Sequence, residues 1–267
     1  MHKPIIHFSH GNSFPAGSYR QFLGLLGDQF DVRAVDMYGH DPEYPVTDGW
    51  PELTDQLIAQ VEQYGQPAIL LGHSLGGMLS LMAADKRPDL ARCVVMLDSP
   101  VVAGWRATLL RLAKLQGWGR RLSPGRLSEK RRFVWPDQAA AHAHFSAKPL
   151  FAGFAPGVLD DYLDHGLESH PDGGVQLRFS REIETEIYDA LPLHMGRLTQ
   201  GQFPVPVGFI GADDSVELRQ AGRAATRRLV GENYRAIPGG HLFPLESPAR
   251  AAALTRELIA TLLVQRA

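Results

Sequence analysis

The chain has 267 residues, 44% hydrophobic and 21% charged, with a formal net charge of −2 at pH 7. That is ordinary globular composition, long enough for one large core with an inserted subdomain, and the near-balanced charge gives no overall reason to expect nucleic acid or a membrane surface as partner. The single cysteine, Cys93, excludes an internal disulfide and a cysteine-based zinc site, and no apolar stretch is long enough for a membrane-spanning helix.

The N-terminal residues Met1 to Phe8 lack the apolar segment and small-residue cleavage site of a secretory signal, so a cytoplasmic protein is expected. From there, short apolar runs alternate with helical patterns, the signature of a mostly parallel sheet. Strands are predicted at about 5–9, 32–36, 68–72, 93–97, 205–211 and 234–237. Leu53, Leu57, Ile58 and Val61 recur at helical spacing after Trp50-Pro51. Cys93 sits in an apolar run and reads as a buried core thiol. The alternation breaks at about 100–204, where helix-like pieces fall near 105–115, 137–145, 158–167 and 181–190, and only the run at 175–179 reads as extended. Such a segment is too long for a simple crossover and is read as a helical lid. This divides the chain into a core of 1–99 and 205–267 and a cap of 100–204. A last helix begins at Ser247-Pro248 and runs through Leu254, Leu258, Leu262 and Leu263.

The most informative stretch is Gly72-His73-Ser74-Leu75-Gly76-Gly77, between the apolar run 68–71 and a helix-forming one. Glycines two positions either side of Ser74 let strand and helix approach closely enough for a sharp turn that exposes the hydroxyl. The helix N-terminus beneath it favours developing negative charge. A G-x-S-x-G arises by chance in roughly one chain in ten of this length, so the strand–turn–helix setting carries the specificity. A serine hydroxyl needs a base and a group that orients that base. Carboxylates follow the fifth strand in Gly211-Ala212-Asp213-Asp214-Ser215, on the sheet edge where ligand sites form. After the sixth strand, Gly239-Gly240 lets the backbone bend so that His241 can point back over the sheet. His10-Gly11-Asn12-Ser13, after the first strand, can aim a backbone N–H at an oxyanion.

Together these features resemble the α/β-hydrolase fold family of serine hydrolases, over nearly the whole chain outside the lid. The resemblance implies an α/β fold with a mostly parallel sheet of about six strands and an inserted helical cap. The family's leading hairpin is not expected, because the His-Gly loop begins so early. It further implies Ser74 as nucleophile, His241 as general base and then acid, and the Asn12 and Leu75 amides as oxyanion hole. For the orienting acid it ranks Asp214 first, Asp98, which also follows a strand, second, and Asp213 third. His-Gly-Asn is also similar to the haloalkane dehalogenases, but those enzymes and the epoxide hydrolases of this fold attack with an aspartate, not a serine. Neither cofactor nor metal is implied. His73, His40 and His194 read as structural. His142 and His144 lie on different helix faces and lack a third ligand.

In the lid, 104–134 holds nine basic residues, among them Arg106, Arg111, Lys114, Arg120, Arg121 and Arg126, against the single acid Glu129. A solvated helix face is weighed at two to one over a dedicated anion-attracting face. Lid aromatics such as Trp105, Trp118, Phe145, Phe151 and Phe154 read mainly as packing, with an acyl pocket as the alternative. The leading expectation is a serine hydrolase of carboxylic esters acting on a small-molecule ester or thioester. The alternatives are thioester cleavage, acyl transfer or C–C hydrolysis at the same site, and a ligand-binding pseudoenzyme.

Overall fold

The computed structural model describes residues 3–115 and 125–265. Strands and helices alternate as β1 (Ile5–Ser9), α1 (Arg20–Leu26), β2 (Asp31–Ala34), α2 (Pro51–Glu62), β3 (Ala68–His73), α3 (Leu75–Lys86) and β4 (Ala91–Leu97). The chain then makes a long excursion over residues 98–206. It rejoins the sheet at β8 (Val207–Ala212), followed by α8 (Val216–Ala221), α9 (Ala224–Val230), β9 (Tyr234–Ile237) and α10 (Pro248–Gln265). The six strands form one parallel sheet in the order β2-β1-β3-β4-β8-β9.

The near-continuous apolar runs follow from this layout, because a parallel sheet covered on both faces buries both sets of alternating side chains. Ile69 and Leu71 of β3 join the layer of Phe22, Leu26, Leu258 and Leu262, whereas Ala68 and Leu70 join that of Leu53, Leu57 and Leu79. Each buried leucine, isoleucine or phenylalanine among these contributes about 1.5–3 kcal/mol relative to exposure. Cys93 is fully buried within the first layer. The short edge strand β2 is half exposed, and it ends before Asp36, earlier than its sequence implies.

The excursion contains α4 (Trp105–Leu115), α5 (Gln138–Ser146), α6 (Val158–Gly166) and α7 (Arg181–Asp189), within a residue or so of the predicted positions. It also holds a small antiparallel sheet that only the run at 175–179 foreshadows: β5 (Val134–Trp135), β6 (Leu167–Ser169) and β7 (Val175–Leu177), in the order β5-β7-β6. Trp135, Phe145, Phe151 and Tyr162 pack with Phe14 into the core, so these aromatics serve packing. Arg178 ties the excursion to the loop after β2 through Asp36 at 2.7 Å. Trp118, Arg120, Arg121 and the Arg126 side chain lie outside the described residues.

Candidate active site

Ser74 alone separates β3 from α3, with φ 53° and ψ −116°, a conformation that costs a non-glycine residue about 1–3 kcal/mol. Tight packing holds it there. A Cβ on Gly72 would lie 2.2 Å from the Gly76 backbone, one on Gly76 would lie 2.0 Å from the Ser9 carbonyl oxygen, and one on Gly77 would lie 2.1 Å from Ser99 Oγ. All three glycines are therefore steric requirements of the turn.

His241 reaches Ser74 from the loop after β9, with Nε2 3.0 Å from the hydroxyl oxygen. Gly240 N–H donates to Glu246 Oε2 at 2.8 Å, which pins the loop that carries the ring. The carboxylate behind the ring is that of Asp98, not Asp214: His241 Nδ1 lies 2.7 Å from Asp98 Oδ2. Asp98 is the first residue beyond β4, fully buried, with φ 42°. Because β4 and β8 are neighbours, the end of β8 serves as its anchor. Ala212 N–H donates to Asp98 Oδ1 at 3.0 Å and Ser215 O–H to Oδ2 at 2.5 Å, while Ser215 Oγ also caps α8 by accepting from Leu218 N–H. Asp214 is exposed, and what it gives the site is main chain: its N–H donates to the Gly239 carbonyl in the His241 loop. Asp213 does the same toward Ile237. With Nδ1–H committed to Asp98, Nε2 is free to accept the Ser74 proton, which is the tautomer a general base requires.

Asn12 and Leu75 both line the cavity into which Ser74 opens. The Leu75 amide stands at the first position of α3, where no intrahelical acceptor exists. Gly76 N–H donates to the His10 carbonyl, locking the loop after β1 to the Ser74 turn. His10 accepts from Tyr38 N–H at Nε2 and donates from Nδ1 to the Gly11 carbonyl. Its burial pushes the pKa down to about 4, so the ring stays neutral. The Asn12 side-chain nitrogen is occupied, Nδ2 donating to the Glu184 carbonyl at 3.0 Å.

A second polar line, not visible in the sequence, joins these parts. Gly11 N–H donates to Tyr19 Oη at 3.2 Å, Tyr19 O–H to His73 Nδ1 at 2.7 Å, and His73 Nε2–H to the His241 carbonyl at 2.8 Å. Each donor meets an acceptor only if His73 is neutral, and burial together with the neighbouring His241 lowers its pKa to about 3. His73 thus holds the main chain of His241. His40 does similar work elsewhere, donating to the Tyr38 carbonyl and accepting from Ser180 N–H. His194 packs beside Gly49, and His144 packs against Trp135 with the rings tilted by 54°.

Burial lowers the affinity of His241 for its proton, but the Asp98 hydrogen bond and the Glu217 charge more than offset it, and the pKa stands above the ordinary 6.5. Glu217, on α8, escaped the sequence reading although it stands three residues past Asp214. Its carboxylate lies 3.7 Å from His241 Nδ1 and is about half exposed. Asp98, Glu217 and His241 offer ligand-type atoms within 4.8 Å of one another. A cation there would have to displace the Nδ1 proton that orients the ring. The cavity, about 470 Å³, has mostly apolar walls that include Trp50, Met78, Leu109, Leu110, Ile187 and Tyr188. Burial pushes the Tyr188 hydroxyl up to about 12.

No helix among the described residues is long and apolar enough to cross a membrane. The sequence is similar to 2-(acetamidomethylene)succinate hydrolase of Mesorhizobium japonicum, 34% identical over 98 residues, which are 36% of this chain and 35% of that protein. The chain therefore matches only about a third of that relative's length. Lipase LipV of Mycobacterium tuberculosis is 28% identical over 235 residues, 85% of this chain and 83% of the lipase. A crystal structure of E-2-(acetamidomethylene)succinate hydrolase shares the fold, with a TM-score of 0.77 at 22% identity over 97% of this chain and 92% of the other. With the alpha/beta hydrolase family model matching residues 8–254, the chain belongs to that family of hydrolases.

Proposed function

We propose that this protein is a serine hydrolase that cleaves carboxylic esters through an acyl-enzyme, with Ser74 as nucleophile, His241 as general base and then acid, and Asp98 as the group that orients His241. The reading rests on one observation: an unbroken hydrogen-bonded line from Asp98 through His241 to a strained Ser74 that opens into a largely apolar cavity. Ser74 Oγ attacks the ester carbonyl as its proton passes to Nε2, and the charge that develops on the carbonyl oxygen is received by the Asn12 and Leu75 amides. Collapse of the tetrahedral adduct expels the alcohol, which takes the proton from His241. Water then gives a proton to the same nitrogen, attacks the acyl carbon, and releases the acid and Ser74.

Residues 100–204 act in this reading as the cap. They supply Trp105, Leu109, Leu110 and Ile187 to the cavity wall, which suits an apolar acyl or alkyl group. Thioester hydrolysis uses the same groups and is the second reading, favoured by Arg106 on that wall. The test is labelling with a fluorophosphonate probe. Wild type is expected to carry the adduct on Ser74, and Ser74→Ala to lose both the label and roughly 10⁶-fold in turnover of p-nitrophenyl butyrate. Folded wild-type protein that takes no label would overturn the reading in favour of a binding role.

A further inference from the structure

Beside the Ser74 cavity lies a second one of about 340 Å³, and Trp105, Arg106 and Ala221 line both. Arg106, Arg223 and Arg228 stand on the walls of this second cavity, and no described carboxylate does. Some other arginines, Arg20, Arg87 and Arg178 among them, meet a carboxylate. No ion pair among the described residues engages these three. Arg106 is held from two sides. Its guanidinium lies 4.6 Å over the Trp105 ring, and it rests on Gly222, where φ is +83° and a Cβ would come within 2.9 Å of Nη1. A side chain at position 222 would displace it. Arg223 and Arg228 are brought alongside by α9 and the turn before it, far in sequence from the basic stretch 104–134. Three arginines with no carboxylate partner among the described residues therefore line a cavity that shares a wall with the one into which Ser74 opens.

We infer that this flank is an anion subsite. It takes a phosphate or carboxylate carried by the substrate at a distance from the scissile carbonyl, so that the preferred substrate is an anionic ester or thioester rather than a neutral one. The inference rests on the hydrolase reading of Ser74 above. A guanidinium trio matches an oxyanion because its N–H groups donate charge-assisted hydrogen bonds, bidentate where geometry allows. The anion has two possible positions. It is either the phosphate of a pantetheine-type thiol in the leaving group or the far carboxylate of a dicarboxylic half-ester.

The experiment compares kcat/KM on three substrates of matched acyl length: p-nitrophenyl hexanoate, the p-nitrophenyl half-ester of adipate, and hexanoyl-CoA. Each is run with wild type and with Arg223→Gln/Arg228→Gln at low and high salt. Wild type is expected to prefer one anionic substrate over the neutral ester by about tenfold or more, and the double variant to lose that preference while its neutral-ester rate stays within about twofold. Added salt should narrow the preference in wild type and leave the variant unmoved. Preference for hexanoyl-CoA assigns the anion to the leaving group, and preference for the adipate half-ester assigns it to the acyl chain. As a readout free of turnover, Ser74→Ala protein is titrated with coenzyme A and with monomethyl adipate by calorimetry. At least one should bind, and weaken on adding Arg223→Gln/Arg228→Gln. Equal rates on all three substrates, or a preference the arginine variant retains, would overturn the subsite while leaving the hydrolase reading intact. Absence of any turnover, neutral ester included, would instead strike at that reading.

Discussion

Replacing Asp98 and Asp214 in turn separates the two candidate acids. The Asp98 carboxylate receives three donors: Ala212 N–H on Oδ1 at 3.0 Å, and Ser215 O–H at 2.5 Å with His241 Nδ1–H at 2.7 Å on Oδ2. Asparagine has only one acceptor oxygen. If its NH₂ faces Ser215 and His241, the imidazole must turn Nδ1 into an acceptor and carry its proton on Nε2, where it can no longer accept from Ser74. If the amide is reversed, its NH₂ opposes the Ala212 N–H. The reversed amide sets two buried donors against each other, at about 1–3 kcal/mol, while the first orientation keeps its hydrogen bonds only by giving up the base. The wrong imidazole tautomer in a serine triad costs roughly 10⁴ in kcat, equivalent to about 5.4 kcal/mol at about 1.36 kcal/mol per decade. Asp98→Asn is therefore expected to lose 10³- to 10⁴-fold in kcat on p-nitrophenyl butyrate, by order of magnitude. Asp214→Asn is an exposed change and should stay within about twofold. Initial rates settle it, with thermal melts to show that both variants fold. Near-normal turnover by Asp98→Asn, or collapse of Asp214→Asn, would refute the assignment of the acid.

Three further outcomes are expected. In the proposed mechanism His241 acts as the neutral base and its pKa is raised above the ordinary value, so kcat/KM should fall as pH drops through that raised pKa. Glu217→Gln, which removes one of the charges holding it up, should shift the acid limb to lower pH; an unmoved limb would show that Glu217 is electrostatically silent. Tyr19→Phe strands Gly11 N–H and His73 Nδ1 in the core and should cost about 1–3 kcal/mol of stability, a melting-temperature drop of roughly 2–4 °C for each kcal/mol. Its kcat should fall with KM little changed, since no atom of Tyr19 lines the cavity. Gly76→Ala forces a methyl to 2.0 Å from the Ser9 carbonyl oxygen, and destabilisation of about 3 kcal/mol or more should appear in a denaturant melt; an unchanged midpoint would mean the turn can relax.

The strands and the Ser74 turn were legible because both write themselves into local pattern. Period-two burial on a doubly covered sheet leaves apolar runs such as Ala68–Leu71, and the close approach of β3 to α3 demands glycine at 72 and 76. The acid was not legible in this way. Asp98 and Asp214 each follow a strand, and what distinguishes them is where neighbouring β4 and β8 stop relative to each other, a tertiary quantity. Asp98 also turns at φ 42°, a conformation aspartate tolerates better than most residues but that Asp214 could equally have adopted. The three-stranded sheet of the excursion was missed because strands of two or three residues are shorter than any periodicity window. Tyr19 and Glu217 belong to the site through contacts across more than fifty and twenty residues of chain respectively, and only Glu217 had a local hint, its place in the acid-rich start of α8.

The excursion leaves the sheet at Asp98, the residue hydrogen-bonded to His241 Nδ1, and returns on the adjacent strand. The two ends are stitched by Asp98 N–H to the Ile210 carbonyl and by the carboxylate to Ala212 and Ser215. That seam fixes Asp98 through contacts that lie outside the excursion's helices. In the proposed mechanism, substitutions at Leu109, Leu110 or Ile187 alter the cavity wall without touching the bonds that fix Asp98.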